Sequence, residues 1–392
     1  MAPRPRPFDI VHVSSAHPWT DNRVHLRAAA SAARAGYRTA LVAVAAAGAG
    51  ADPDWHLPDP ETGVYVRRIP ARRRGRRVLV SSVQVIGAAL SSRAPIVHLH
   101  DPELLWALPL LRVLHRTVVY DAHEDLPEQV RGKEYLGPVA RRGSTVAAHA
   151  AVVLARRSRT VVAATPTIAR RFRADRTVLV RNVPRLRAQD TDAPPAAARG
   201  QVAVYLGSMS RDRGIDVLTG VAASPGLPDG WRVVTAGPID SAVDRGAFDA
   251  LVDTGRIDHR GVLAPHSARD LLVTARVGLL PLLPTPAYAA SIPTKLFEYL
   301  AAGLAVVATD VPLWRELLDG ADCATWVPPG DPEAVVAALR RYDGDPDLLR
   351  RHAEAGRALV LERFRWDHEE HVLLDLYRSL SGASPMPEAV GR

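Results

Sequence analysis

Two short apolar runs, Val277-Gly-Leu-Leu-Pro281 and Ala305-Val-Val-Ala308, flank the segment Ser291-Ile-Pro-Thr-Lys-Leu-Phe-Glu-Tyr-Leu-Ala-Ala-Gly303. Runs of that length bounded by Gly and Pro read as buried strands. Between them Leu296, Phe297, Leu300 and Ala301 recur at helical spacing and form one apolar stripe. Pro293 suits the first turn of that helix, where a missing N–H costs nothing. Gly303 suits the left-handed residue that ends it. The segment is a strand–loop–helix–strand unit whose helix begins at Thr294 and Lys295.

A helix start with free N–H groups and a lysine beside it is suited to phosphate. Glu298 lies three residues beyond Lys295, about one turn along, so both side chains can serve one ligand. A cation and amides for a diphosphate, with a carboxylate for two vicinal hydroxyls, match a sugar nucleotide. The alternative is a surface helix on which Lys295 and Glu298 form an ion pair.

The run from Pro293-Thr-Lys-Leu-Phe-Glu to Ala308-Thr-Asp310 resembles the donor-binding motif of the retaining glycosyltransferases of family 4, which have the GT-B fold. That family usually carries Glu-x7-Glu. Here the second glutamate is Glu298, and Ala290 stands at the first. The likeness is strongest over 202–380 and weaker over 8–184. It implies an α/β protein of two Rossmann-like, doubly wound domains facing each other across a cleft. Residues 1–184 would be the acceptor side and 201–365 the nucleotide-sugar domain, joined by a linker at 185–200. Residues 366–382 would form a helix crossing back to the first domain, and 383–392 a flexible tail. The resemblance further implies metal-independent transfer to an acceptor hydroxyl from a nucleoside-diphosphate sugar, a UDP-sugar above all, without a cofactor.

A length of 392 residues suits two domains, and 47% hydrophobic with 23% charged residues is the balance of a soluble globular protein. The single cysteine, Cys323, excludes an internal disulfide and fits a reducing, cytoplasmic setting. The N-terminus lacks the apolar core of a signal peptide, and no stretch has the roughly 18 apolar residues of a membrane span. The net charge of +8 admits nucleic acid, anionic membrane or anionic small molecules as partners. Arginines 67, 68, 72, 73, 74, 76 and 77 form the densest cluster. A solvated loop is the first reading of it and peripheral contact with an anionic membrane the second. Nucleic acid ranks last, because 5% aromatic content offers few stacking platforms.

Along the chain, Phe8–Val13 reads as a strand, residues 14–22 as its loop, residues 23–35 as a helix and Tyr37–Ala43 as the next strand. The opening lacks Gly-x-Gly-x-x-Gly, so it carries no dinucleotide fingerprint. His17, Asp21, Asn22 and Arg23 are the polar candidates there, with helix capping as the alternative for Asp21 or Asn22. Ile96-Val-His-Leu-His-Asp101 ends a strand in polar groups. His98 and His100 share a face, so a His/His/Asp metal site competes with Asp101 as a helix cap, and capping is preferred. His100 and Asp101 join the acceptor-side candidates. Thr117–Asp125 is a further strand end, and the resemblance gives His123 the role of contacting the transferred sugar. A structural histidine bonded to a carbonyl is the other reading.

In the second half, Val202–Gly207 feeds a loop in which the family places an arginine and a lysine on the donor phosphate. Ser208 and Arg213 stand at those positions here, with Arg211 beside them. His259–Leu263 resembles the base-reading segment, with Val262 nearest the base, though Val262 and Leu263 also suit a core. Asp331 and the Asp343-Gly-Asp345 turn read as helix caps. His368-Glu-Glu-His371 has the wrong spacing for a zincin. Phe364, Trp366, Val372, Leu373, Leu376 and Tyr377 give the last helix its apolar face. The roles that follow are catalysis for His123, Arg213 and Lys295, and donor binding for Ser208, Arg211, Arg213, Val262, Thr294, Lys295 and Glu298. An epimerase of sugar nucleotides and a non-catalytic nucleotide-binding module are the rivals.

Overall fold

The structure is a computed structural model that describes residues 7–45, 50–52, 55, 57–131, 137–186, 193–289 and 291–382. The chain divides into two compact units, Met1–Asn182 with Trp366–Arg392, and Val183–Arg365. The stretch of linker composition at 185–200 falls within the second unit. Its described part carries a short turn of helix, Ala196–Ala198, leading into a strand.

Unit 1 is built on a parallel sheet of β1 (Ile10–Pro18), β2 (Thr39–Val44), β3 (Tyr65–Ile69), β4 (Ile96–Leu99), β5 (Thr117–Ala122), β6 (Thr160–Ala163) and β7 (Thr177–Leu179). Its spatial order is β3-β2-β1-β4-β5-β6-β7. The strands β2, β4 and β6 are buried along their whole length, the expected state of parallel strands covered by helices on both faces. One layer comprises Ser82–Ser91, the helical turns of 102–113 and Pro138–Ala155, sharing a core with Val11, Val13, Val97 and Leu99. The other contains Asn22–Arg34 and the final helix, Trp366–Ser381, packed on Ile10, Ile96, Val119 and Val162.

The first helix departs from expectation at its start. Asp21 is its cap, accepting from the amides of Arg23 and Val24, and its carbonyl also accepts from Leu26 in an i→i+5 turn. Asn22 therefore stands in the helix, not in the loop, and Arg23 is helical as expected. The final helix starts at Trp366, whose indole donates to Ser31 at 2.9 Å. Phe364 lies before it in the core of unit 2, and Val372 is exposed, so neither belongs to its packing face. Of the arginine cluster read as a loop, Arg67 and Arg68 lie on β3, and Arg74, Arg76 and Arg77 lie in helical turns that run on to Ser91.

Unit 2 repeats the plan with β8 (Gly200–Leu206), β9 (Arg232–Ala236), β10 (Ile257–His259), β11 (Ala275–Leu280), β12 (Ala305–Thr309) and β13 (Ala324–Val327). The order is β10-β9-β8-β11-β12-β13, again parallel throughout. The helix between β11 and β12 runs Thr294–Ala301 and buries Leu296, Phe297, Tyr299 and Leu300. Pro293 sits at the cap position, one residue earlier than expected, and Gly303 follows the helix at φ 69. Asp331 caps its helix through the amide of Ala334, and Asp345 caps the next through Leu348. In both sheets the strand order reverses once, between β1 and β4 and between β8 and β11. Open α/β sheets receive ligands at the carboxyl ends of strands at such points.

Candidate functional site

In unit 2 the loops at the reversal carry Gly207–Gly214 after β8 and residues 281–293 after β11. The helix Thr294–Ala301 has no side-chain cap, so its first amides are open to a ligand. Lys295 leans over Gly207 so closely that a Cβ there would lie 2.3 Å from its Cε and 2.6 Å from its Nζ. The ammonium is 5.7 Å from the Tyr205 ring centroid and forms no ion pair among the described residues. Burial and the nearby Arg213 charge bring its pKa down to about 8, against a smaller opposing effect of Glu298. Arg213 is oriented by its Nε donating to the Tyr288 hydroxyl at 2.9 Å.

Tyr288 escapes a reading of the sequence, because an aromatic residue in a turn between strand and helix carries no periodic signal. The carbonyl of Ser208 accepts from Tyr205, and Arg211 is exposed. Thr294 and Glu298 are half-buried; Glu298 lines a small pocket with Arg185, Arg269 and Leu272. Val262 is 75% exposed, which removes the core reading of that side chain. Ala290 lies outside the described residues.

In unit 1 the corresponding loops hold a denser polar cluster. Asp101 occupies the cap position of its helix but makes no capping bond. Its carboxylate instead accepts from Ser14 Oγ at 2.8 Å, from the amides of Ser15 and Ala16 at 2.6 and 3.2 Å, and pairs with His17 Nδ1 at 3.0 Å. Burial opposes charge on both partners, yet the contact outweighs it. His17 rises to about 9, and Asp101 is held below the usual carboxylate range. The His17 ring meets His123 edge to face at 5.0 Å. His123 is lowered, chiefly by burial, and its Nδ1 lacks a hydrogen-bond partner. An imidazole that favours the charged form and one that disfavours it thus stand side by side at the strand ends.

Arg23 and His100, counted above among acceptor-side candidates, are instead interior groups. Arg23 grips Asp121 through Nε and Nη2 at 2.9 and 2.7 Å and also donates to the Val180 carbonyl. His100 Nδ1 lies 3.0 Å from the same carboxylate, while its Nε2 meets His12 Nδ1 at 2.9 Å. Tyr377 Oη completes the chain, 2.7 Å from His98 Nδ1 and 3.4 Å from His12 Nε2. An ionised Asp121 makes His100 a donor to it, and donors and acceptors then alternate through His12 and Tyr377 to His98. Asp101 turns to the carboxyl end of β1, so it does not join His98 and His100, and His12 lies with them instead. His12, His98 and His100 each bring one ring nitrogen to within 4.8 Å of the others, with His12 Nδ1 and His100 Nε2 2.9 Å apart and His98 stacked on His100 at 4.5 Å. Asn22 is exposed at the helix start.

A family model described as "Glycosyl transferase-like" matches residues 218–375. A phosphatidyl-myo-inositol mannosyltransferase of Mycobacterium leprae is 26% identical over 194 residues, covering 46% of this chain. The match spans 47%, about half, of that protein's length. Among solved structures, sucrose-phosphate synthase from Thermosynechococcus elongatus superposes with a TM-score of 0.72 at 18% identity, over 96% of this chain and 99% of that one. Anabaena HepE in complex with UDP-glucose gives 0.67 at 15% identity, over 95% and 100%. With its two doubly wound parallel-sheet units, the chain has the GT-B fold.

Proposed function

We propose that the protein is a retaining, metal-independent glycosyltransferase of family 4 type that uses a nucleoside-diphosphate sugar, in first place a UDP-sugar. The observation that carries this reading is Lys295, a half-buried cation without an ion-pair partner among the described residues, beside an uncapped helix start and Arg213. In transfer, the bond from the anomeric carbon to the diphosphate breaks and an acceptor oxygen bonds that carbon on the same face. The acceptor's proton passes to the departing phosphate. The diphosphate gains charge in this step, and fixed cations and amides stabilise it without reorganising. Arg213, Lys295 and the amides at Thr294 supply them, Glu298 takes the ribose hydroxyls, and Val262 lies by the base.

His123 keeps the sugar-contacting role that the resemblance gives it, with His17 and Asn22 on the acceptor side. No pair of catalytic carboxylates is needed. The acceptor belongs to polysaccharide, glycolipid or natural-product synthesis, and the reaction takes place in the cytoplasm or at the inner membrane face. Support comes from the Anabaena neighbour, solved with UDP-glucose. A thermal-shift screen of UDP-, GDP- and dTDP-sugars tests donor choice. Release of free nucleoside diphosphate only when an acceptor is added supports transfer. Interconversion of the sugar without release would establish the epimerase instead, and binding without turnover the non-catalytic module.

A further inference from the structure

The helical layer of unit 1 formed by Ser82–Ser91, residues 102–113 and Pro138–Ala155 packs one side on the sheet core. Its opposite side is unusually apolar. Leu79 and Val83 lie on the first helical segment, Trp106 and Val113 on the second, and Val146 and Val153 on the third. All six are exposed, Leu79 at 74%, Val113 at 75% and Val146 at 65%. The turn Pro102–Ala107 contacts both Ser82–Ser91 and Pro138–Ala155, so the three segments lie side by side in this layer. Scattered exposed apolar residues need no explanation, but a row on each of three adjacent helices marks a contact surface.

Basic charge predominates on the flanking segments of this face, and Asp125 and Glu128, next to the third helix, are paired with Arg171. Between Glu61 and Asp101 the sequence contains eight arginines and no acidic residue, and between Glu134 and Asp175 it again contains eight and none. Glu103, on the middle segment, is held by Arg77 at 2.8 Å. Arg73, Arg76, Arg112 and Arg142 are exposed beside the apolar rows. We propose that this three-helix face docks on an anionic lipid bilayer, with the apolar rows entering the headgroup boundary and the arginines meeting lipid phosphates. An apolar face rimmed by arginines fits that boundary because their stems lie along hydrocarbon while the guanidinium groups reach outward. A second copy of the chain would bring two basic faces together. Nucleic acid would leave the apolar rows without a counterpart.

The inference stands apart from the sugar chemistry and is tested without it. The full-length protein is sedimented with vesicles of phosphatidylcholine alone and with vesicles that also contain phosphatidylglycerol. The wild type is expected to bind the anionic vesicles at least tenfold more tightly, and added salt should weaken that binding. The L79E/V83E variant and, on a different helix, V146E should each lower binding tenfold or more. Leu361→Glu, an exposed apolar site in unit 2, should leave it unchanged. Melting temperature identifies any variant that fails to fold, and the other helix then carries the test. No preference of the wild type for anionic vesicles, or full binding by both folded variants, overturns the proposal. So does a wild-type dimer that the same variants convert to monomer.

Discussion

Replacing Gly207 by alanine provides a sharp test of the donor cradle. The residue has φ +129, so a side chain there carries strain of about 1–2 kcal/mol. Its Cβ would also stand 2.3 Å from Lys295 Cε, but that obstacle is the far end of a flexible side chain. The lysine can swing away, so the fold survives and the ammonium loses its position. A charge-assisted hydrogen bond to phosphate contributes about 1.5–3 kcal/mol, so UDP affinity should fall roughly tenfold to a hundredfold. Lys295→Ala should show a similar loss with little change in apo melting temperature.

The double variant decides the mechanism. Truncating Lys295 removes the Cδ, Cε and Nζ atoms that the new Cβ would meet. G207A/K295A should therefore bind UDP about as weakly as Lys295→Ala alone, a non-additivity that a calorimetric double-mutant cycle reads directly. Unchanged UDP affinity in a folded Gly207→Ala or Lys295→Ala protein refutes the phosphate role of Lys295. Fully additive losses would show that Gly207 acts on the nucleotide by some other route.

Glu298→Gln should raise the donor KM roughly tenfold to a hundredfold with the fold preserved, because a charged acceptor for the ribose is lost. An effect of at most about 0.5 kcal/mol on stability with intact turnover would instead identify a surface ion pair. Turnover should survive excess chelator, and complete loss restored by Mg²⁺ or Mn²⁺ would point to a different catalytic class. The His17–Asp101 pair should shape stability against pH. His17 is raised from 6.5 to about 9, so its contribution is complete below pH 6.5 and lost as pH rises through 9. Asp101 is depressed from 3.8, so its contribution is present above that value and lost as pH falls below it. Asp101→Asn should therefore lower the melting temperature near pH 7 and flatten its decline toward pH 9. An unchanged melting profile would rule out the pair.

The elements were legible where period and punctuation agreed. The unit from β11 to β12 could be read because apolar runs, a helical stripe and a terminal glycine are local signals, and that glycine, Gly303, holds φ 69. The charged contacts were not legible, because they join residues far apart in sequence. Asp101 looks like a cap from its neighbour Pro102, yet its partners are Ser14, Ser15, Ala16 and His17 on another strand end. Asp121 is absent from the sequence candidates, although a carboxylate within the apolar run Val118-Val-Tyr-Asp-Ala122 is itself a signal of a buried charge needing a partner. Arg23 and His100 are those partners, which is why neither is available to a ligand.

The two reversal points handle charge in opposite ways, and this has a measurable consequence. In unit 1, Asp121 is met by Arg23 and His100, and Asp101 by His17, so these carboxylates are neutralised from within. In unit 2, Lys295 has Arg213 as its near charge, and burial with that repulsion lowers it to about 8. A diphosphate would add opposite charge to the small effect of Glu298, favour the ammonium and raise the pKa again. At pH 8 the free lysine is about half protonated, while UDP, with a phosphate pKa of about 6, is already ionised. Binding there should take up a sizeable fraction of a proton, visible as a dependence of binding heat on the buffer's ionisation enthalpy. The uptake should shrink toward pH 6, where Lys295 is already charged, and vanish in Lys295→Ala. Equal heats in all buffers at pH 8 with the wild type would mean that the phosphates do not approach Lys295.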